Sequence, residues 1–231
     1  SSAPFIVYNG AGSIGPEAVG AVFADVDLDG AADVLVAARI GANRLLMQTG
    51  DVSFTEEGQS RGFDDKRPAL AIAVGDCDGD RDIDAYVTAP AGVDNALFLN
   101  DGAGFFALGA GEAHGASDRD ADGVAVLVFD ADEDGDVDIV VAHMAVARGG
   151  ALAVLTNSGS CQFESSGMTA VNDAVGVRAL LTSLVLLDAD GDGHLDVFAT
   201  QAAGGGALIS FRPSQDPPRA DVTPVGLSAA A

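Results

Sequence analysis

Several residue types are scarce in this 231-residue chain, and each scarcity narrows its chemistry. There is no tryptophan and there are two tyrosines, which leaves few flat platforms for stacking sugar rings. Bases are few as well: eleven Lys and Arg stand against 35 Asp and Glu, a formal charge of −24, and Lys66 is the one lysine. A field of that sign repels nucleic-acid backbones and anionic membrane surfaces, so nucleic acid is not an expected partner. No apolar run approaches the roughly 18 residues a membrane helix needs. Even residues 179–187 are interrupted by Thr182 and Ser183, so no membrane insertion is expected of this segment. Helical periodicity is nowhere convincing. Neither a His-Glu-x-x-His motif nor a phosphate loop is present, and Asn-x-Ser/Thr and Arg-Gly-Asp triplets are missing too. His114, His143 and His194 share no motif and read as loop or strand residues. With no initiator methionine and no signal-like segment, the expectation is a processed chain or a fragment of a longer one. Cys77 and Cys161 lie 84 residues apart. That spacing decides no pairing, and the simpler expectation is two small buried or half-buried thiols.

What is present is organised as a repeat. Nineteen of the 35 acidic residues fall in four nine-residue windows, 25–33, 76–84, 130–138 and 188–196. The windows align without gaps as Asp25-Val-Asp-Leu-Asp-Gly-Ala-Ala-Asp33, Asp76-Cys-Asp-Gly-Asp-Arg-Asp-Ile-Asp84, Asp130-Ala-Asp-Glu-Asp-Gly-Asp-Val-Asp138 and Asp188-Ala-Asp-Gly-Asp-Gly-His-Leu-Asp196. Their starts are 51, 54 and 58 residues apart, close to the length of one propeller blade. Short, nearly continuous apolar runs precede and follow every window, as in Val124–Phe129 and Ile139–Ala142, and suit strands buried on both faces. A second pattern follows: Asn43-Arg-Leu-Leu, Asn95-Ala-Leu-Phe and Ala151-Leu-Ala-Val each lead to a glycine turn and a phenylalanine. That phenylalanine is Phe54, then Phe105 or Phe106, then Phe163, and it marks a fourth strand.

Four strands per repeat make the expected fold all-β, a β-propeller of four-stranded antiparallel blades. The repeats run over about 16–64, 65–115, 116–170 and 171–225. Residues 1–15 resemble the second half of a preceding blade, and 226–231 read as a tail or linker. Four blades and a half point to a partial ring; a small ring with an extra edge hairpin is the alternative. The Pro-rich stretch 213–218 reads as a late loop.

Clustered carboxylates repel one another unless a cation sits among them. Calcium takes six to eight oxygens at roughly 2.3–2.6 Å in forgiving geometry. In each window the first, third and fifth positions offer carboxylates: Asp25, Asp27 and Asp29; Asp76, Asp78 and Asp80; Asp130, Asp132 and Asp134; Asp188, Asp190 and Asp192. The seventh, Ala31, Asp82, Asp136 or His194, would offer its backbone carbonyl. The ninth, Asp33, Asp84, Asp138 or Asp196, would close the shell. Magnesium demands stricter octahedral geometry, and zinc would want a His or Cys cluster that no window has. Position 12 is Val36, Val87, Val141 or Ala199, so the glutamate that completes an EF-hand is missing. Up to four calcium ions are expected. The 76–84 loop should be the weakest, because Arg81 replaces the glycine that makes the sharp turn. Asp118–Gly123 mimics a fifth window, but Val126 at its ninth position cannot close a shell, and it reads as a solvated turn.

These loops, the apolar strands around them and the Asn-x-Leu…Gly…Phe second halves resemble the FG-GAP/VCBS repeat family, found in integrin α-chains and in secreted microbial proteins. The resemblance covers roughly residues 5–225. It implies calcium in the hairpin loops, a ring of blades, an extracellular, secreted or cell-surface setting, and a role in adhesion or protein recognition. The partner would be a protein or glycan on the propeller face, or the rest of a larger chain. The alternative is the propeller portion of a secreted polysaccharide-degrading enzyme, or a lectin. For an enzyme the sequence offers little. Gly58-Gln-Ser-Arg-Gly62 has the letters of a nucleophile elbow, but lacks the buried strand before Ser60 and the helix after it. No catalytic residue is expected.

Overall fold

The computed structural model describes residues 17–51, 53–109, 114–117, 119, 121–144, 152–166, 180–202, 205–212 and 219–225. The half-blade read in residues 1–15, the Pro-rich stretch 213–218 and the tail 226–231 lie outside the described residues. The described residues hold sixteen strands and no helix.

The strands fall into four antiparallel sheets of four, each a simple meander in which chain neighbours pair. The first sheet holds β1 (Ala18–Ala24), β2 (Asp33–Ala38), β3 (Arg44–Gly50) and β4 (Ser53–Glu56). The second holds β5 (Ala71–Gly75), β6 (Asp84–Thr88), β7 (Ala96–Asn100) and β8 (Phe106–Gly109). The third holds β9 (Gly123–Phe129), β10 (Asp138–His143), β11 (Leu152–Asn157) and β12 (Phe163–Ser166). The last holds β13 (Leu181–Leu187), β14 (Asp196–Gln201), β15 (Gly206–Arg212) and β16 (Arg219–Val225). Every acidic window therefore joins the first two strands of a sheet, and its ninth residue opens the second strand.

Register explains the apolar runs. Successive side chains in a strand point to opposite faces, and the second strand of a sheet uses both. Ala85 and Val87 pack with the first sheet, whereas Tyr86 packs with the third. In β10, Ile139 and Val141 meet the second sheet and Val140 and Ala142 the fourth. β2, β6 and β10 are buried along their whole length, as expected of strands covered on both sides. The first strands are less covered. Phe23 of β1 is 59% exposed and Val185 of β13 51%, so the expectation of two-sided burial fails for the runs that precede those loops. First strands stand at a sheet edge, with one pairing neighbour, and β1, β5, β9 and β13 touch in that order along the array.

Aromatic residues fill the seams. Phe63 sits between Phe98 and Phe106, with ring centroids 4.6 and 5.2 Å away, and Phe129 meets Phe211 edge-on at 5.6 Å. Phe106, not Phe105, is the buried fourth-strand phenylalanine; Phe105 is half exposed beneath the Arg61 guanidinium. The repeated asparagines before the third strand have a clear task. Asn43 and Asn95 turn their side-chain oxygens back to accept the N–H groups of Ala38 and Ala89, closing the turn between second and third strands.

The two cysteines are joined. Cys77, beside β5, is disulfide-bonded to Cys161 in the turn between β11 and β12, with Cα atoms 4.9 Å apart. The expectation of two separate thiols is corrected: both are buried, but they form one cross-link between the second and third sheets. Spacing could not reveal this, because the pairing depends on how two sheets dock.

Candidate metal centre

Each loop is a ladder of short side-chain-to-backbone hydrogen bonds. The first aspartate accepts the N–H of the sixth residue in all four: Gly30 to Asp25 at 2.9 Å, Arg81 to Asp76 at 2.9 Å, Gly135 to Asp130 at 3.1 Å and Gly193 to Asp188 at 3.2 Å. The fifth aspartate accepts from the seventh residue, at 2.8 Å from Ala31, 2.9 Å from Asp82, 2.9 Å from Asp136 and 3.0 Å from His194. Such local bonds curl the backbone around its own carboxylates.

The curl requires left-handed backbone at two positions. The sixth residue has φ of +89° at Gly30, +76° at Arg81, +102° at Gly135 and +91° at Gly193. Glycine is expected there, and Arg81 does adopt the strained conformation its position demands. The fourth residue is left-handed as well, at Leu28, Gly79, Glu133 and Gly191, with φ between +59° and +78°. Its mixed identities hide that requirement in the sequence.

Carboxylate oxygens converge within 4.8 Å of one another in every loop, and these clusters could hold a metal ion. In the last three the first, third and ninth residues come together: Asp76, Asp78 and Asp84; Asp130, Asp132 and Asp138; Asp188, Asp190 and Asp196. In the first loop the trio is Asp25, Asp27 and Asp29, and Asp33 is outside it. Two oxygens bear directly on the fit. Asp27 Oδ1 and Asp130 Oδ1 are buried and have no hydrogen-bond partner, a costly state for a carboxylate unless a cation supplies the missing contact. The donors are hard oxygens, which suits a hard divalent cation.

The ninth aspartate has a second task that its spacing does not reveal. One oxygen accepts the N–H of the second loop residue: Asp33 from Val26 at 3.2 Å, Asp84 from Cys77 at 3.0 Å, Asp138 from Ala131 at 2.8 Å and Asp196 from Ala189 at 2.9 Å. In the first three sheets the other oxygen accepts an N–H from near the end of the third strand, Gln48 at 2.7 Å, Asn100 at 2.9 Å and Asn157 at 2.8 Å. The residue thus staples its loop to its sheet. Buried this deeply, Asp84 and Asp138 have their carboxyls pushed up to about 6, by desolvation first and in spite of those hydrogen bonds. Desolvation likewise raises Asp33, Asp78 and Asp132, with neighbouring aspartates adding to it. Asp82 is raised too, by desolvation and then by Asp80, Asp101 and Asp76.

Neighbouring groups touch individual loops. Arg61 places a guanidinium nitrogen 3.9 Å from Asp27 while binding Glu57 at 2.7 Å and the Ala103 carbonyl at 2.7 Å. The His194 side chain, expected to matter through its backbone alone, contacts the Glu133 carboxylate of the preceding loop. Within Gly58–Gly62, the Ser60 hydroxyl donates to the Glu57 carbonyl at 2.9 Å. Of the residues that mimic a fifth window, Asp122 accepts the Ala91 N–H at 2.8 Å, and Asp118 and Asp120 lie outside the described residues.

Residues 25–87 match the family model described as FG-GAP-like repeat. No curated protein matches the chain. Among solved structures, the V. cholerae biofilm matrix protein Bap1 is similar at a TM-score of 0.44 and 16% identity. That likeness covers 91% of this chain and 38% of Bap1, so the chain spans well under half of that protein's length.

Proposed function

We propose that the chain is a calcium-binding β-propeller module that works outside the cell in adhesion or protein recognition, with calcium in a structural role. The observation that carries this reading is the fourfold recurrence of one hydrogen-bonded turn in which three carboxylates converge, together with the unpartnered buried oxygens of Asp27 and Asp130. Calcium suits the loops because it accepts many oxygens in irregular geometry. Up to four ions would bind, and the 76–84 loop would be the weakest, because Arg81 is strained at φ +76°. Each ion would remove two of the 24 excess negative charges and tie down a hairpin between two strands. The meander sheets, touching through their first strands in chain order, support a radial arrangement of blades. The module binds rather than catalyses in this reading. A protein or glycan, or the rest of a larger chain, would dock on its surface.

Calorimetric titration of calcium into metal-free protein, with the melting temperature followed in parallel, tests the proposal. Binding of about four ions with a large rise in Tm is expected. No binding, or no change in Tm, would reduce the loops to acidic turns.

A further inference from the structure

The disulfide lies against the 76–84 loop. Cys77 is the second residue of that loop, between Asp76 and Asp78, and Cys161 Sγ is 3.9 Å from Asp84 Oδ2. The three carboxylates that converge in this loop are therefore the two chain neighbours of one sulfur-bearing residue and a direct neighbour of the other.

Repetition within the fold shows what the cross-link adds. The second residue of a loop is a hub. Val26 gives its N–H to Asp33 and takes the Asn100 side-chain amide on its carbonyl at 2.8 Å. Cys77 does the same with Asp84 and Asn157, also at 2.8 Å, and in addition accepts the Cys161 N–H at 3.0 Å. Counting four residues on from each asparagine gives Gly104 and Cys161, both left-handed, with φ of +75° and +53°. A Cβ placed on Gly104 would lie 3.3 Å from Val26 Cγ2, the same juxtaposition that Cys161 and Cys77 convert into a bond. The first seam holds its hub without a covalent bond, whereas the second adds one. The loop that receives it is also the one with a non-glycine residue at the strained sixth position.

We propose that the Cys77–Cys161 disulfide is a clamp that holds the 76–84 loop ready for its cation, which makes this one site sensitive to thiol reductants. The clamp rests on the calcium reading above. Opening the bond takes two electrons and two protons from a dithiol, which leaves as its own cyclic disulfide, and two thiols remain in the protein. Cys77 is then held by its hydrogen bonds to Asp84, Asn157 and Cys161 alone. Against that weaker hold the mutual repulsion of Asp76, Asp78 and Asp84 favours a spread loop over the converged one. Binding must then re-form the loop, and affinity falls by the loss of preorganisation.

The test compares calcium isotherms of the full chain in three forms: oxidised, reduced by dithiothreitol to completion by thiol titration, and carrying Cys77→Val with Cys161→Gly. The double substitution copies the residues of the first seam and keeps glycine where φ is positive. The oxidised protein should bind four ions. The reduced and substituted forms should keep three unchanged and bind the fourth at least about tenfold more weakly. Asp76→Asn with Asp78→Asn removes the loop's own site, and in that background reduction should leave the remaining isotherm unchanged. Identical four-ion isotherms in all three forms would overturn the clamp and leave the calcium reading standing. Weakening of every site together, or weakening that persists in the Asp76→Asn/Asp78→Asn background, would also overturn it. Absence of calcium binding in the oxidised protein would remove the underlying reading and the clamp with it.

Discussion

Asn157 donates its side-chain amide to the backbone carbonyl of Cys77, 80 residues earlier, over 2.8 Å. Asn100 makes the same bond to Val26 over the same distance. Both asparagines are buried, and each reaches from the third strand of one sheet to the second residue of the preceding sheet's loop. At the last seam the corresponding place belongs to Phe211, which packs on Phe129 instead. Two seams are thus latched by a polar bond and one by an aromatic pair.

Truncating a latch should destabilise the fold through the hydrogen bonds it strips. Asn100→Ala removes the side-chain donor to the Val26 carbonyl, and Asn157→Ala removes one of two donors to the Cys77 carbonyl, which keeps the Cys161 N–H. Asn100→Ala and Asn157→Ala should each lower stability by about 1–3 kcal/mol. Thermal unfolding in chelator, where no ion contributes, measures this; an unchanged Tm for both would show the latches to be incidental.

The ninth aspartate should matter without metal and the fifth should not. In Asp138→Asn an amide group replaces one of two oxygens that both accept backbone N–H groups, from Ala131 and Asn157. The loss should be about 2 kcal/mol in chelator. Asp134→Asn keeps an oxygen for its N–H partner, Asp136, and lifts a like charge from beside Asp132 and Asp138. It should therefore cost no stability in chelator and should destabilise only when calcium is present. Parallel melts of both variants with chelator and with calcium would separate the two roles.

Acidification should stabilise the metal-free protein. Asp84 and Asp138 have folded-state values of about 6, above the ordinary carboxylate value of 3.8. Between those values the folded chain holds more protons than the unfolded one, so stability rises as pH falls through 6 toward 4 and is lost as pH rises through 6. The metal-free Tm should therefore climb on going from neutral pH to the lower end of that window. With saturating calcium the trend should reverse, because protons compete for the same oxygens. A metal-free Tm that falls on acidification over that range would contradict the burial argument.

Glycine should improve the strained positions. Leu28 is 59% exposed at φ +59° and Arg81 has φ +76°, so Leu28→Gly and Arg81→Gly give up little packing and relieve left-handed strain. Each should stabilise by up to about 1 kcal/mol, and Arg81→Gly should also tighten calcium in its loop. Urea unfolding and a calcium titration of each variant check both effects; lowered stability in both variants would show that the loops are not strained there.

Features that are local or periodic were legible from the residues alone. A strand must alternate its faces, so the runs around Asp33, Asp84, Asp138 and Asp196 announce strands in four groups. A turn that bends back on its own carboxylates must place them on alternate residues, so the loops and the strain at Arg81 could be read from the residues. Which carboxylates converge, with Asp33, Asp80, Asp134 and Asp192 outside their trios, could not. The fourth loop position escaped because Leu28 and Glu133 stand where glycine would have signalled positive φ. Whatever joins distant segments became visible only in the folded chain. The Cys77–Cys161 bond, the latches from Asn100 and Asn157, the reach of Arg61 to Asp27 and the double duty of the ninth aspartates depend on how one sheet seats against another or on where a third strand returns. So does the exposure of Phe23 and Val185, whose apolar character marks a strand but not the number of its neighbours. Local chemistry repeats along the chain and can be counted; the docking of two sheets is a property of their surfaces together, and no spacing along the chain encodes it.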